Sequence, residues 1–222
     1  NEITIMGKKR VFIFFLVALF TKTSVFAIGD PPVSYLGLEQ GLSNNGVTCI
    51  FQDHDGFMWF GTFDGLNRYD GYSFKVFRNI LNDPTSLNGS FVRVITDDAN
   101  HRLWIGTTKG ISILNSVTGN FLSVNFKPWN STSLQSLKSD VRAIKQVDQN
   151  ETMLVGSQGN GLLVFEKNSQ SGIQIPLLAY KNHEGEYGVT GIALDPNRKI
   201  AWVFVQGVGL CQYDLTHRIL QI

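Results

Sequence analysis

Cysteine is nearly missing from this chain of 222 residues, proline is scarce and charge is thin: two cysteines, six prolines and 17% Asp, Glu, Lys and Arg together. Cys49 and Cys211 make no disulfide framework, which leaves one long-range bridge or two buried free thiols. So low a charge, beside 43% apolar residues, excludes a disordered tail. Nineteen basic residues against eighteen acidic ones give no bulk field of either sign, so net charge points to no nucleic-acid or membrane-surface partner. Beyond the N-terminus no apolar run approaches eighteen residues, so no further membrane span is expected. What is plentiful is aromatic side chains, at 12%, and glycine, at 22 residues, a combination that favours β structure.

The one long apolar run lies at the start. Lys8-Lys9-Arg10 precede Val11–Phe20, and a more polar stretch ends at Val25-Phe26-Ala27. A basic start, a short apolar centre and small residues at a cleavage point are the parts of a secretory signal peptide. Ten apolar residues reach only about 15 Å as a helix, half of a bilayer core of about 30 Å. Residues 1–27 are therefore read as an N-terminal extension and signal peptide, with 28–222 as the exported domain. Losing Lys8, Lys9, Arg10 and Lys22 against Glu2 leaves that domain mildly acidic.

The domain repeats itself. Val47-Thr48-Cys49-Ile50, then Met58-Trp59-Phe60-Gly61-Thr62, then Gly65–Tyr69 recur 45 residues later as Val92–Ile95, Leu103-Trp104-Ile105-Gly106-Thr107 and Gly110–Leu114. A third copy begins at Val141 with Leu154 in the tryptophan position, and a fourth begins at Val189, keeping Trp202 but with Phe204-Val205 in place of Gly-Thr. Each copy is a set of short β-rich runs broken by turn residues, as in Asp53-His54-Asp55-Gly56 and Phe63-Asp64-Gly65. No helical period runs through them. Four strands per copy and a period near 45 define an all-β chain: a β-propeller of four-stranded antiparallel blades, with copies starting near 47, 92, 141 and 189.

The string Asp53-x-Asp-Gly-x-x-Trp59-x-Gly-Thr-x-x-Gly-Leu66-x-x-Tyr69, with Gly41-Leu42-Ser43-Asn44-Asn45, Asn67–Tyr72 and Asn82-Asp83-Pro84-Thr85-Ser86-Leu87, resembles the two-component regulator propeller repeat. The resemblance covers about Ser34 to the C-terminus, strongest in the first two copies. It implies the periplasmic, N-terminal sensor of a hybrid two-component histidine kinase of the Bacteroidetes, with these blades a fragment of a seven-bladed ring. It further implies an oligosaccharide ligand, homodimerisation through the full-length protein, and membrane attachment and kinase chemistry in segments beyond Ile222. Val33–Gly37 would be an outer strand closing the ring against a last blade absent here.

Candidate chemistry is sparse. Asp53-His54-Asp55-Gly56 has the start of a calcium loop without its later ligands, and His54, His101, His183 and His217 show no metal-ligand spacing, so no metal, cofactor or catalytic group is expected. The glycine-rich Gly156–Gly161 is read as a strand turn. The residue after each opening valine, Thr48, Arg93, Arg142 and Thr190, falls near the axis, and Arg93 with Arg142 makes a candidate clamp for an acidic sugar, against the plainer pairing with Asp97 or Asp140. Trp129 and Tyr72, with Phe63, are candidate stacking platforms for a pyranose. An exported propeller enzyme of the lyase type and a protein-interaction scaffold are the alternatives to a sensor.

Overall fold

The computed structural model describes residues 33–147, 152–179, 184–195, 197 and 199–222. The proposed signal peptide, Asp148-Gln149-Asn150 and His183 lie outside these residues. A short 3-10 turn, Leu38–Gln40, precedes four sheets in chain order. The first contains β1 (Val47–Gln52), β2 (Met58–Thr62), β3 (Gly65–Tyr69) and β4 (Phe74–Phe77), and the second β5 (Val92–Asp97), β6 (Leu103–Thr107), β7 (Gly110–Leu114) and β8 (Phe121–Ser123). The third is built on β11 (Val141–Val147), β12 (Thr152–Ser157), β13 (Gly161–Phe165) and β14 (Ser171–Ile175). The fourth holds β15 (Val189–Asp195), β16 (Ile200–Val205), β17 (Gly209–Asp214) and β18 (Ile219–Gln221). Each is an antiparallel meander, and each begins with the valine that opens a sequence copy.

The cores lie between sheets. One cluster joins Trp59 and Leu66 of the first sheet to Ile95, Ile105 and Phe121 of the second. Another joins Trp104 and Ile111 to Ile144, Val155 and Phe165 of the third, and the last joins Leu154 and Val164 to Ile192, Val203 and Tyr213 of the fourth. Sheets that stack face to face in sequence order about their first strands are the blades of a propeller. The repeated tryptophan fills the wedge: Trp104 meets the ring of Phe165 on the next blade edge-on, with centroids 5.5 Å apart. Beside it the repeated glycine leaves room for the next blade's opening valine. A Cβ on Gly61 would stand 2.7 Å from Val92, and one on Gly156 would stand 2.5 Å from Val189. The fourth copy replaces that glycine by Phe204, which is 50% exposed because no further blade covers it among the described residues.

Two expectations need correction. The third sheet has six strands, not four, because β9 (Asn125–Lys127) and β10 (Gln135–Ser136), from the crossing between the second and third blades, add to its outer edge. β9 pairs parallel with β14, so this blade is not purely antiparallel. Val33–Gly37 forms no strand, since an outer strand needs the edge of another blade and none of the four sheets takes it up. The first blade is correspondingly open on its far side. Ile50 is 60% exposed, whereas its counterparts Ile95, Ile144 and Ile192 are buried.

Candidate functional site

Strand direction sorts every loop onto one of two faces. The turns from second to third strand and the crossings between blades lie on one, called here the crossing face; the first-to-second and third-to-fourth hairpins lie on the other, the hairpin face. On the crossing face the first residue of each second-to-third turn donates its backbone N–H to the residue before the inner strand: Phe63 to Gly46, Thr108 to Phe91, Gln158 to Asp140 and Gln206 to Gly188. Immediately after each opening valine the register slips by one, so Thr48, Arg93, Arg142 and Thr190 are β-bulge residues near the axis. A bulge frees one side chain from the ladder and aims it sideways.

Two of these freed side chains bind blade to blade. The Thr48 hydroxyl donates to the Val92 carbonyl at 2.7 Å. Arg93 donates from Nε and an Nη to the two oxygens of Asp140, each at 3.2 Å, and lies over the Phe91 ring, 4.0 Å from its centroid. Phe91 in turn meets Phe63 edge-on. Arg142 turns back to the same carboxylate, Nε to Oδ2 at 3.1 Å. The two arginines of the proposed clamp are thus brought together, but on Asp140, the pairing weighed against the clamp. Gln158 continues the row by donating to Gln206 of the fourth blade at 2.6 Å.

The two aromatic candidates are not gathered with them. Trp129 follows β9 at the outer rim of the third blade, four strand positions and so roughly 19 Å from the inner strand that carries Arg142. It is 42% exposed and faces a pocket of about 220 Å³ with Asn130, Gln135, Asn160 and Glu186. Its backbone N–H is held by Gln174 Oε1, whose amide group also donates to the Asn160 and Gly185 carbonyls. Tyr72 is 95% exposed at the tip of the β3–β4 hairpin, on the opposite face.

A larger hollow on the crossing face escaped sequence reading. It measures about 700 Å³ and lies between the crossings that enter the second and third blades. Its floor is buried Leu87 and Leu137; its walls carry Asn79, Asn88, Ser123 and Ser136, with exposed Ile80 and Leu81 at the rim. Asn79 and Asn88 are fixed by donating to the Leu87 and Ile111 carbonyls. Lys109 and Lys138 flank it, neither with a carboxylate partner among the described residues. The one signal for it was the long polar crossing Asn79–Ser90, since the two lysines sit in unrelated positions of the repeat.

The aspartates of the turn motif have a structural task. Asp53 accepts from the Phe57 N–H and the Trp59 indole, at 2.9 and 2.6 Å. Asp98 accepts from the Trp104 indole at 2.9 Å and pairs with Arg102 at 2.7 Å. Both carboxylates are spent on orienting tryptophans, which is why the Asp-to-Trp spacing of six repeats. No group of three or more His, Cys, Asp or Glu side chains suited to a metal occurs among the described residues. Cys49 and Cys211 are free thiols, both pushed up from the usual thiol range by burial. No helix among the described residues is long and apolar enough to cross a membrane.

Four radial sheets sharing an inner-strand hub make the chain part of a β-propeller. Residues 41–64 and 86–109, in its first two blades, match the family described as Two component regulator propeller. Over 48 residues, 22% of this chain, it is 50% identical to Histidine kinase P4 of Formosa agariphila, of which it spans 4%. The fold is similar to the extracellular domain of a putative hybrid two component system from B. thetaiotaomicron, at 19% identity and a TM-score of 0.67, covering 86% of this chain and 27% of that one. It is also similar to PorZ, a surface component of the type-IX secretion system of Porphyromonas gingivalis, at 18% identity and a TM-score of 0.60, covering 86% and 29%. The 222 residues therefore span about a quarter of these solved structures.

Proposed function

We propose that these blades are part of a closed ring in the exported, ligand-sensing region of a hybrid two-component histidine kinase, and that the ligand is an oligosaccharide bearing acidic groups. The observation that carries this reading is the 700 Å³ hollow of the crossing face, a saccharide-sized concavity with a rigid amide lining and two lysines. Ammonium groups without carboxylate partners favour a uronate or sulfate over a neutral sugar. Arg93 and Arg142 together carry two positive charges against the single negative charge of Asp140, so the axis beside the hollow also favours anions.

Occupancy of the crossings would bear on blade spacing, because the same segments lead into the inner strands through Phe91 and Asp140. In the whole protein that change would pass through a dimer to the kinase. A periplasmic location follows if residues 1–27 act as a signal peptide. The reading is tested by thermal-shift screening of the chain against neutral and acidic oligosaccharides. Stabilisation by acidic members, lost in Lys109→Gln and Lys138→Gln, supports it, and silence across the panel or chemical turnover of a member contradicts it.

A further inference from the structure

A second concavity lies on the hairpin face, between the first two blades. It measures about 440 Å³ and is lined by His54, Arg68, Lys75 and His101, with Phe57 and Phe77 behind them. Its basic residues stand where the fold calls for apolar ones. Across each blade one row of paired residues faces the next blade: Trp104, Ile113 and Leu122 in the second, Leu154, Val164 and Ile173 in the third. In the first blade the same row reads Trp59, Arg68 and Lys75.

Arg68 and Lys75 are directly opposed across the β3–β4 ladder, an arrangement of like charges that costs stability. Among the described residues neither has a carboxylate partner. The Arg68 guanidinium lies over Phe57, 4.4 Å from its centroid, and the Lys75 ammonium lies 5.1 Å from that of Phe77. Those rings hold the cations in place without neutralising them. Across the gap, His54 of the first blade touches His101 of the second, ring centroids 3.8 Å apart.

The acidic groups nearby are mostly committed. Asp53 is bound to the Trp59 indole, and Asp98, next to His101 in the second hairpin, is bound to Trp104 and Arg102. Asp55 stands at the exposed turn.

We infer that the gap between the first two blades on the hairpin face is a binding site for an oxyanion, a sulfate or carboxylate group, held by Arg68 and Lys75 with the His54 and His101 rings beside it. The anion offsets the like-charge repulsion of the β3–β4 pair and bridges the two histidine-bearing hairpins. This site lies on the face opposite the proposed saccharide hollow and is independent of it.

Calorimetric titration of the whole chain with inorganic sulfate and, separately, glucose 6-sulfate, at constant ionic strength, tests the site. Saturable binding is expected, weakened about tenfold in Lys75→Gln, whose exposed side chain puts the fold at no risk. Tighter binding of the sugar ester identifies a saccharide as the source of the anion, and equal binding identifies a free ion. Lys127→Gln, exposed on β9 and in neither hollow, serves as the control and leaves this affinity unchanged. No saturable binding of either probe, or binding that Lys75→Gln and Arg68→Gln both leave intact, overturns the assignment.

Discussion

Val141, which opens the third blade, rests on Gly106 of the second: a Cβ added to Gly106 would stand 2.9 Å from Val141 Cγ1 and 2.6 Å from Val94 Cγ1. The glycine at this repeat position, Gly61, Gly106 and Gly156 in the first three blades, is thus an inter-blade clearance. Gly106→Ala has to push two β-branched side chains with stiff rotamers, and is expected to lower stability by about 1–3 kcal/mol in urea unfolding. The counterpart position in the fourth blade, Phe204, faces open space, so Phe204→Ala is expected to leave stability nearly unchanged and to reduce self-association at high concentration in light scattering.

Trp104 is buried against Phe165 and tied by its indole to Asp98. Trp104→Ala removes a large wedge from the core between the second and third blades and is expected to cost about 3–5 kcal/mol. Asp98→Ala leaves the indole N–H and Arg102 without their partner, and about 1–3 kcal/mol is expected. Equilibrium unfolding followed by the remaining tryptophans reads both.

Asp140 gathers Arg93 from the second blade and Arg142 from its own. Asp140→Ala places two guanidinium groups together with no counter-ion and is expected to cost about 1–2 kcal/mol, recovered in part by Arg142→Ala in the same chain. A double-mutant cycle in low and high salt measures this. Equal losses in both salts would mean that packing, not charge, sets the effect.

Much of this architecture was legible because each repeated residue answers one physical demand. The tryptophan fills a wedge, the aspartate holds its indole, the glycine admits a valine and the bulge residue crosses to the next blade. All four demands are met in the first two blades and the wedge and clearance again in the third, so the pattern survives in the sequence even where Leu154 or Phe204 departs from it. What was not legible belongs to single blades. The two extra strands of the third sheet depend on β14 presenting a free outer edge, a tertiary circumstance that Asn125–Ser136 alone does not encode. Arg93 and Arg142 were placed on the inner strands with Asp97 or Asp140 weighed as partners, yet spacing alone does not show that Asp140 takes both arginines. The groupings Lys109 with Lys138 and Arg68 with Lys75 and His101 come from different copies or registers, and only the folded blades bring them to shared walls.

Asp214 caps the hairpin that carries His217. Bonds from the His217 ring and backbone and from the Thr216 N–H hold its carboxyl at about 2, below the ordinary 3.8. A depressed folded value means that the turn's stabilisation is present above the ordinary carboxylate range and is lost as pH falls through about 2. Carboxyl carbon shifts and amide exchange at Thr216 and His217 should follow that transition. Asp214→Asn is expected to abolish the pH response of the turn while leaving the core between the third and fourth blades intact.

The sensing role is tested most directly by calorimetric titration of the chain with an acidic oligosaccharide and its neutral counterpart. The account predicts saturable binding of the acidic sugar, with weaker binding in Lys109→Gln, Lys138→Gln and, to a lesser degree, Arg142→Ala, and recovery of the sugar unaltered. Equal affinity for both sugars, binding indifferent to all three substitutions, or recovery of cleaved product would contradict it.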